Sequence, residues 1–112
     1  MTAPLLYIAG PYSSDPVDGT RRAIEAADHL WDAFDTPAIV PHLSHLHHLI
    51  NPRPWEDWLR LDLVLVERCD AVWRLAGKSL GADMEVNHAI DRGIPVLRSD
   101  DEVADFLERW PA

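Results

Sequence analysis

A chain of 112 residues, 47% of them apolar, has room for one compact domain with a real core and excludes both a two-domain arrangement and a disordered one. A net charge of −9 excludes an extended nucleic-acid surface, which needs stripes of Lys and Arg, but not a single nucleotide held by backbone N–H groups and a few side chains. No apolar run approaches the ~20 residues of a membrane span, the opening MTAPLLYIAG lacks the basic start of a signal peptide, and the one cysteine, Cys69, forbids an intrachain disulfide, so the expectation is a cytoplasmic chain that does not enter a membrane.

Residues 4–9 (PLLYIA) form a short apolar run closed by Gly10-Pro11, the pattern of a buried strand. A loop from Tyr12 to Gly19, rich in Ser, Asp and Pro, leads to a helix from Thr20 to about Phe34, where Ala23, Ala26, Ala27, Leu30 and Phe34 recur at helical spacing. Pro37 to Val40 predicts a second short strand, followed by a histidine-rich connection that ends in the breakers of NPRP at 51–54. Trp55 to Arg68 has the length of a helix, and DAVWRLA (70–76) predicts a third strand. Ser79 to Arg92 is a helix stopped by Gly93, 93–97 a fourth strand, and Asp101 to Trp110 a closing helix. Strands alternating with helices imply βαβ units, hence a parallel sheet with right-handed crossovers over a single domain, 1–112. Ligands of such sheets bind beyond the carboxyl ends of the strands, which directs attention to the loops after the first three.

On the helix from Ser79, the hydroxyl can cap the first turn, and Gly81 and Ala82 keep that turn slim enough for a ligand to approach the backbone. The inward stripe is Ala82, Val86, Ala89 and Ile90, and Glu85 shares it. A carboxylate on a buried face is costly unless paired or used; the alternative is a rim residue that reaches out to solvent. Asp62 lies similarly on a face with Trp58, Leu65 and Val66, where partial burial would raise its pKa, or else pairs with Arg60 or Arg68. Two inward acids on helices meeting at one sheet edge suit glycosyl chemistry, in which a carboxylate attacks an oxocarbenium-like carbon and a protonated acid assists the leaving group. That chemistry needs no metal and no redox cofactor.

Other features read more plainly. His42, His45, His47 and His48 fall within seven positions, but with no cysteine nearby and all on one segment they suit a substrate-lining loop, chiefly through His42 or His45, better than a zinc site. Trp31 and Trp73 are expected in the core. Trp55 and Trp58 are either a wall for base stacking or a packing surface, and Trp110 is expected to pack with Val103, Phe106 and Leu107. Cys69 reads as a small core residue, His88 as solvated or interfacial, and Asp100-Asp101-Glu102 as the acidic start of the last helix.

The strings YIAGPYSS (7–14), Asp62 eight residues before the Asp70 of CDAV, and above all SLGADMEVNHAI (79–90) resemble the nucleoside 2-deoxyribosyltransferase-like superfamily, including its small phage and bacterial members, over about Leu6 to Val96. The resemblance implies a flavodoxin-like three-layer α/β sandwich with a four- or five-stranded parallel sheet, and a homodimer. It makes Glu85 the nucleophile, Asp62 the acid that handles the base, and Tyr7 the hydroxyl that holds the nucleophile. It also assigns Gly10, Pro11, Tyr12, Ser13 and Ser14 to the loop that wraps the sugar or phosphate. Ser79 stands where the transferases of free nucleosides carry an acid and the monophosphate hydrolases a phosphate-binding serine. The expected substrate is therefore a nucleoside 5′-monophosphate, cleaved at its N-glycosidic bond by hydrolysis or by 2-deoxyribosyl transfer. The alternative is a non-catalytic nucleotide-binding sensor or partner module.

Overall fold

The computed structural model describes residues 3–111. Its elements run β1 (Leu6–Ala9), α1 (Pro16–Phe34), β2 (Ala38–Ile39), a 3-10 turn (Pro41–Leu43), α2 (Ser44–Ile50), α3 (Trp55–Glu67), β3 (Ala71–Arg74), α4 (Leu80–Asp91), β4 (Val96–Leu97) and α5 (Asp100–Glu108). The four strands pair in the order β2-β1-β3-β4, all parallel. Leu6 and Ile8 of β1, with Ala71 and Trp73 of β3, face one way onto Ala23, Ala26 and Leu30 of α1 and Val103 of α5. Tyr7, Ala9 and Val72 face the other way onto Val66 of α3 and Ala82, Val86 and Ala89 of α4. Both faces of the central strands are thus covered, as a parallel sheet requires, and the architecture is a flavodoxin-like three-layer sandwich. No helix among the described residues is long and apolar enough to cross a membrane.

From β1 the chain crosses to β2 on one side, then returns to β3 on the other side of β1. The connections leaving the carboxyl ends of β1 and β3 diverge there, and the divergence opens a crevice beside Gly10. Two glycines let the neighbouring backbone close in. A Cβ at Gly19 would stand 2.2 Å from the Pro11 carbonyl oxygen, and one at Gly77, whose φ is +118°, would stand 2.7 Å from Pro11 Cγ. The loop after β1 is therefore clamped between the start of α1 and the turn after β3.

Several elements differ from the sequence expectations. Helix α1 starts at Pro16, four residues before Thr20, because proline lacks an N–H that the first turn cannot use and Asp15 caps it by accepting from the Asp18 N–H at 3.1 Å. The histidine-rich connection is itself a 3-10 turn and a short helix, α2, that buries none of its residues. Trp31 is 51% exposed, since Ala23, Ala27 and Leu30 take the inward face of α1. Ile90 is also exposed, and Glu85 takes the place in the α4 stripe assigned to it. Strand β4 pairs over only two residues, and α5 ends two residues before Trp110. Trp73 and Cys69 are buried as expected; burial pushes the Cys69 thiol up to about 11, away from nucleophilic use.

Candidate active site

A cavity of about 610 Å³ opens at the carboxyl ends of β1 and β3. Three of its walls come from the loop after β1, the first turns of α3 and the first turn of α4, and the 3-10 turn closes the fourth with Pro41 and His42. Glu85 sits on its floor, 6% exposed, because the α4 stripe that packs Ala82, Val86 and Ala89 on the sheet carries it inward. The Tyr7 hydroxyl, rising from β1, donates to Glu85 Oε2 at 2.6 Å. Asp62, one face of α3 away, reaches the same carboxyl and shares a hydrogen bond with it.

These three groups set one another's protonation. Burial raises the Glu85 carboxyl to about 8, with the Asp62 charge adding to the effect, while the Tyr7 hydroxyl and the Arg74 charge oppose it. Asp62 is raised to about 6, again by burial, with its hydrogen bond to Glu85 pulling it back. Tyr7 is held well above the usual phenol value by burial and by Glu85, so it remains a donor. The two carboxyls titrate as a unit and hold one proton between them across neutral pH.

The remaining site residues predicted from sequence divide. Gly10, Tyr12, Ser13, His42, Trp58, Ser79 and Gly81 line the cavity, as do Ser14 and Trp55. Pro11 and His45 do not line it. The Pro11 carbonyl accepts from His42 Nε2 at 3.3 Å, and His45 Nδ1 bonds the Tyr12 hydroxyl, so both support the loop after β1 from behind. Burial lowers the His42 pKa and keeps its ring neutral. Trp58 is anchored by its indole N–H, which donates to His48 Nδ1 at 2.8 Å. Each of these histidines answers to a different partner, and no group of three or more His, Cys, Asp or Glu among the described residues is placed to hold a metal. Ser79 caps α4, its oxygen accepting from the Ala82 N–H at 3.1 Å, and an added Cβ at Gly81 would meet nothing within 4 Å, so the slim first turn faces open space.

Sequence reasoning missed Leu59, Lys78, Leu80 and Asp83, which also line the cavity. It missed Arg74 as well, 8% exposed at the end of β3, whose guanidinium bonds the carbonyls of Leu75 and Gly77 and pairs with Asp83 at 3.0 Å. The available signal was a cation ending an otherwise apolar strand run. His88, expected to be solvated or interfacial, is partly buried and paired with Glu67 at 2.8 Å on the outer side of α4.

The raised carboxyl gives a stability prediction. Above its unfolded value near 4.5 the unfolded chain has released the Glu85 proton while the folded chain keeps it, so stability present below that pH is lost as pH rises toward about 8. Glu85→Gln keeps the shape and an acceptor for Tyr7 without the charge. It should raise Tm by about 5 °C at pH 8 and by much less at pH 5. Parallel melting curves at the two pH values check this, and an equal or larger gain at pH 5 would contradict the burial of a titrating carboxyl.

Comparison with curated proteins gives no match, and comparison with solved structures gives none either. A family model described as a domain of unknown function, DUF7768, matches residues 4–99, which span all four strands and every residue of the cavity. The chain belongs to that DUF7768 family.

Proposed function

We propose that the cavity cleaves the N-glycosidic bond of a nucleoside 5′-monophosphate, passing the sugar to water or to a second base. The observation that carries this reading is the Tyr7–Glu85–Asp62 cluster on the floor of a cavity at the sheet's switch point. The one proton of the pair rests on Glu85, the higher of the two carboxyls, and first passes to Asp62. The Glu85 carboxylate so formed attacks C1′ as the bond from C1′ to the base nitrogen breaks, and the electron pair of that bond takes the proton from Asp62. The result is a glycosyl ester on Glu85 and a free base. Asp62, now ionised, takes a proton from water as its oxygen attacks C1′, which releases Glu85 and the sugar phosphate and restores the starting state. Tyr7 fixes the Glu85 oxygen that does not attack. Trp58 and Trp55 on one side and Tyr12 on the other offer rings for the base.

The reading is tested by incubating the protein with a panel of nucleosides and nucleotides and separating free base by chromatography. Base release is expected from at least one 5′-monophosphate. Binding without release from any of them would make the protein a nucleotide sensor instead.

The phosphate is assigned to the start of α4. The Ser79 oxygen accepts from Ala82, which leaves its hydrogen free to donate, the first N–H groups of the helix point the same way, and Lys78 precedes them on the rim. Ser79→Ala should reduce kcat/KM for a monophosphate by about 1–2 kcal/mol, the scale of one charge-assisted hydrogen bond, and leave the matching nucleoside unaffected. Equal losses for both substrates would overturn the assignment.

We further propose that the chain works as a homodimer through α2 and α3. Leu43, Leu46 and Ile50 are 58%, 65% and 78% exposed along one face of the 3-10 turn and α2, and Leu61 and Val64 extend the apolar surface on α3. Light scattering at micromolar concentration should give the mass of two chains; the mass of one chain would refute it.

A further inference from the structure

Two aromatic walls of the cavity are tied to one short helix. His45 and His48 stand one turn apart on α2, which fully buries none of its own residues. Each turns its Nδ1 to a ring that lines the cavity, His45 to the Tyr12 hydroxyl and His48 to the Trp58 indole. The two bonds differ in kind. A hydroxyl donates or accepts, so the Tyr12 bond survives protonation of His45 by reversing its direction. An indole N–H only donates, here at 2.8 Å, and the Arg53 backbone N–H approaches the same His48 nitrogen at 3.2 Å. Two donors facing one nitrogen require its lone pair, which is the geometry of a neutral ring with its proton on Nε2. Trp58 in turn stands one helical turn before Asp62 on α3, and the two share the cavity wall.

We infer that His48 is a positioning residue, a latch whose neutral ring holds Trp58 in place as a wall of the cavity and which protonation opens. Once Nδ1 carries a hydrogen, it meets two N–H groups with no lone pair to offer, so the indole and the Arg53 amide both lose that acceptor. The titratable and charged groups around the latch are His45 and His47 of α2, Arg53 of the turn, and Asp57 and Asp62 of α3. His45 is engaged with Tyr12, and His47 packs edge-on against the same indole with ring centroids 4.8 Å apart. Arg53 and Asp57 pair with each other at 2.7 Å, and Asp62 shares its hydrogen bond with Glu85. A flat base stacks best on a ring that is already fixed, because binding then does not have to order it. The inference rests on the glycosidase reading for that purpose, but not for its test.

The test is NMR of protein labelled with nitrogen-15 in its tryptophans, without substrate, the Trp58 indole signal being the one lost in Trp58→Phe. As pH falls, the wild-type indole signal should move upfield in step with the His48 ring protons. In His48→Leu it should stand at the acid position at every pH, and at neutral pH it should exchange with water about fivefold faster than in wild type, the scale of one lost hydrogen bond. His48→Asn, whose amide oxygen can replace Nδ1, should keep the bonded position throughout, and any residual drift there reports Asp62. An indole signal that ignores His48 protonation, or that is unchanged in His48→Leu, overturns the inference. Should His48→Leu not fold, the wild-type titration decides alone. With a 5′-monophosphate that the protein cleaves, His48→Leu should raise KM about fivefold with kcat within about twofold, and should add nothing in a Trp58→Phe background. An unchanged KM would reject the latch's role in binding. The expected indole shifts in a protein that releases no base would remove the glycosidase reading and leave the latch standing.

Discussion

Glu85→Ala is expected to abolish base release, by about 10⁴-fold or more, while the protein remains folded. The size follows from the role: without the carboxylate there is no glycosyl ester, and water must attack a carbon whose developing charge nothing stabilises. The fold survives because the carboxyl contributes little to it. Burial opposes its charge, and the stripe that seats α4 on the sheet is Ala82, Val86 and Ala89. Truncation leaves the buried Tyr7 hydroxyl without its partner, a cost of about 1–3 kcal/mol, and Glu85→Gln, which retains an acceptor, avoids it. A folded Glu85→Ala protein with near-wild-type base release, measured beside its circular dichroism spectrum, would end the proposed mechanism.

The second large effect is expected at Asp62. Losing the general acid should cost about 10²–10⁴-fold in kcat, most for bases that leave poorly without a proton. The pH profile supplies the sharper signature. The reactive pair carries one proton, so the wild-type rate should rise through about 6 and fall through about 8, the two apparent values of the pair. Asp62→Asn removes the proton that the alkaline limb reports and also the charge that raises Glu85. The profile should therefore become a single rise, centred below 8, with no fall at high pH. A variant that keeps the bell shape would show that the proton comes from elsewhere.

How far the sequence revealed these groups depended on what each residue packs against. The sheet and its layers were legible because βαβ alternation and apolar runs record burial directly, and Glu85 was legible because it interrupts the stripe between Ala82 and Ala89. Asp62 followed from the same periodicity on α3. Helix α2 was not legible, because it buries nothing and its leucines face outward, so its periodicity marks no core. Trp31 was misplaced for a related reason: size suggested the core, but the alanines of α1 fit closer to the sheet. Arg74 was hidden because one cation at a strand end looks like a boundary until the β3–α4 turn folds over it. His45 and Pro11 have the right neighbourhood and the wrong depth, since sequence spacing does not distinguish the lining of a loop from its backing.

The central claim is a covalent bond to Glu85, and mass spectrometry reads it directly. A 2-fluoro-2-deoxy nucleoside 5′-monophosphate slows the second step more than the first, so the glycosyl-enzyme should accumulate. After acid quench and proteolysis, the peptide containing Glu85 should carry the added mass of the fluorinated sugar phosphate, with one equivalent of base released. Release of base with that peptide unmodified, or the adduct on another residue, would contradict the account.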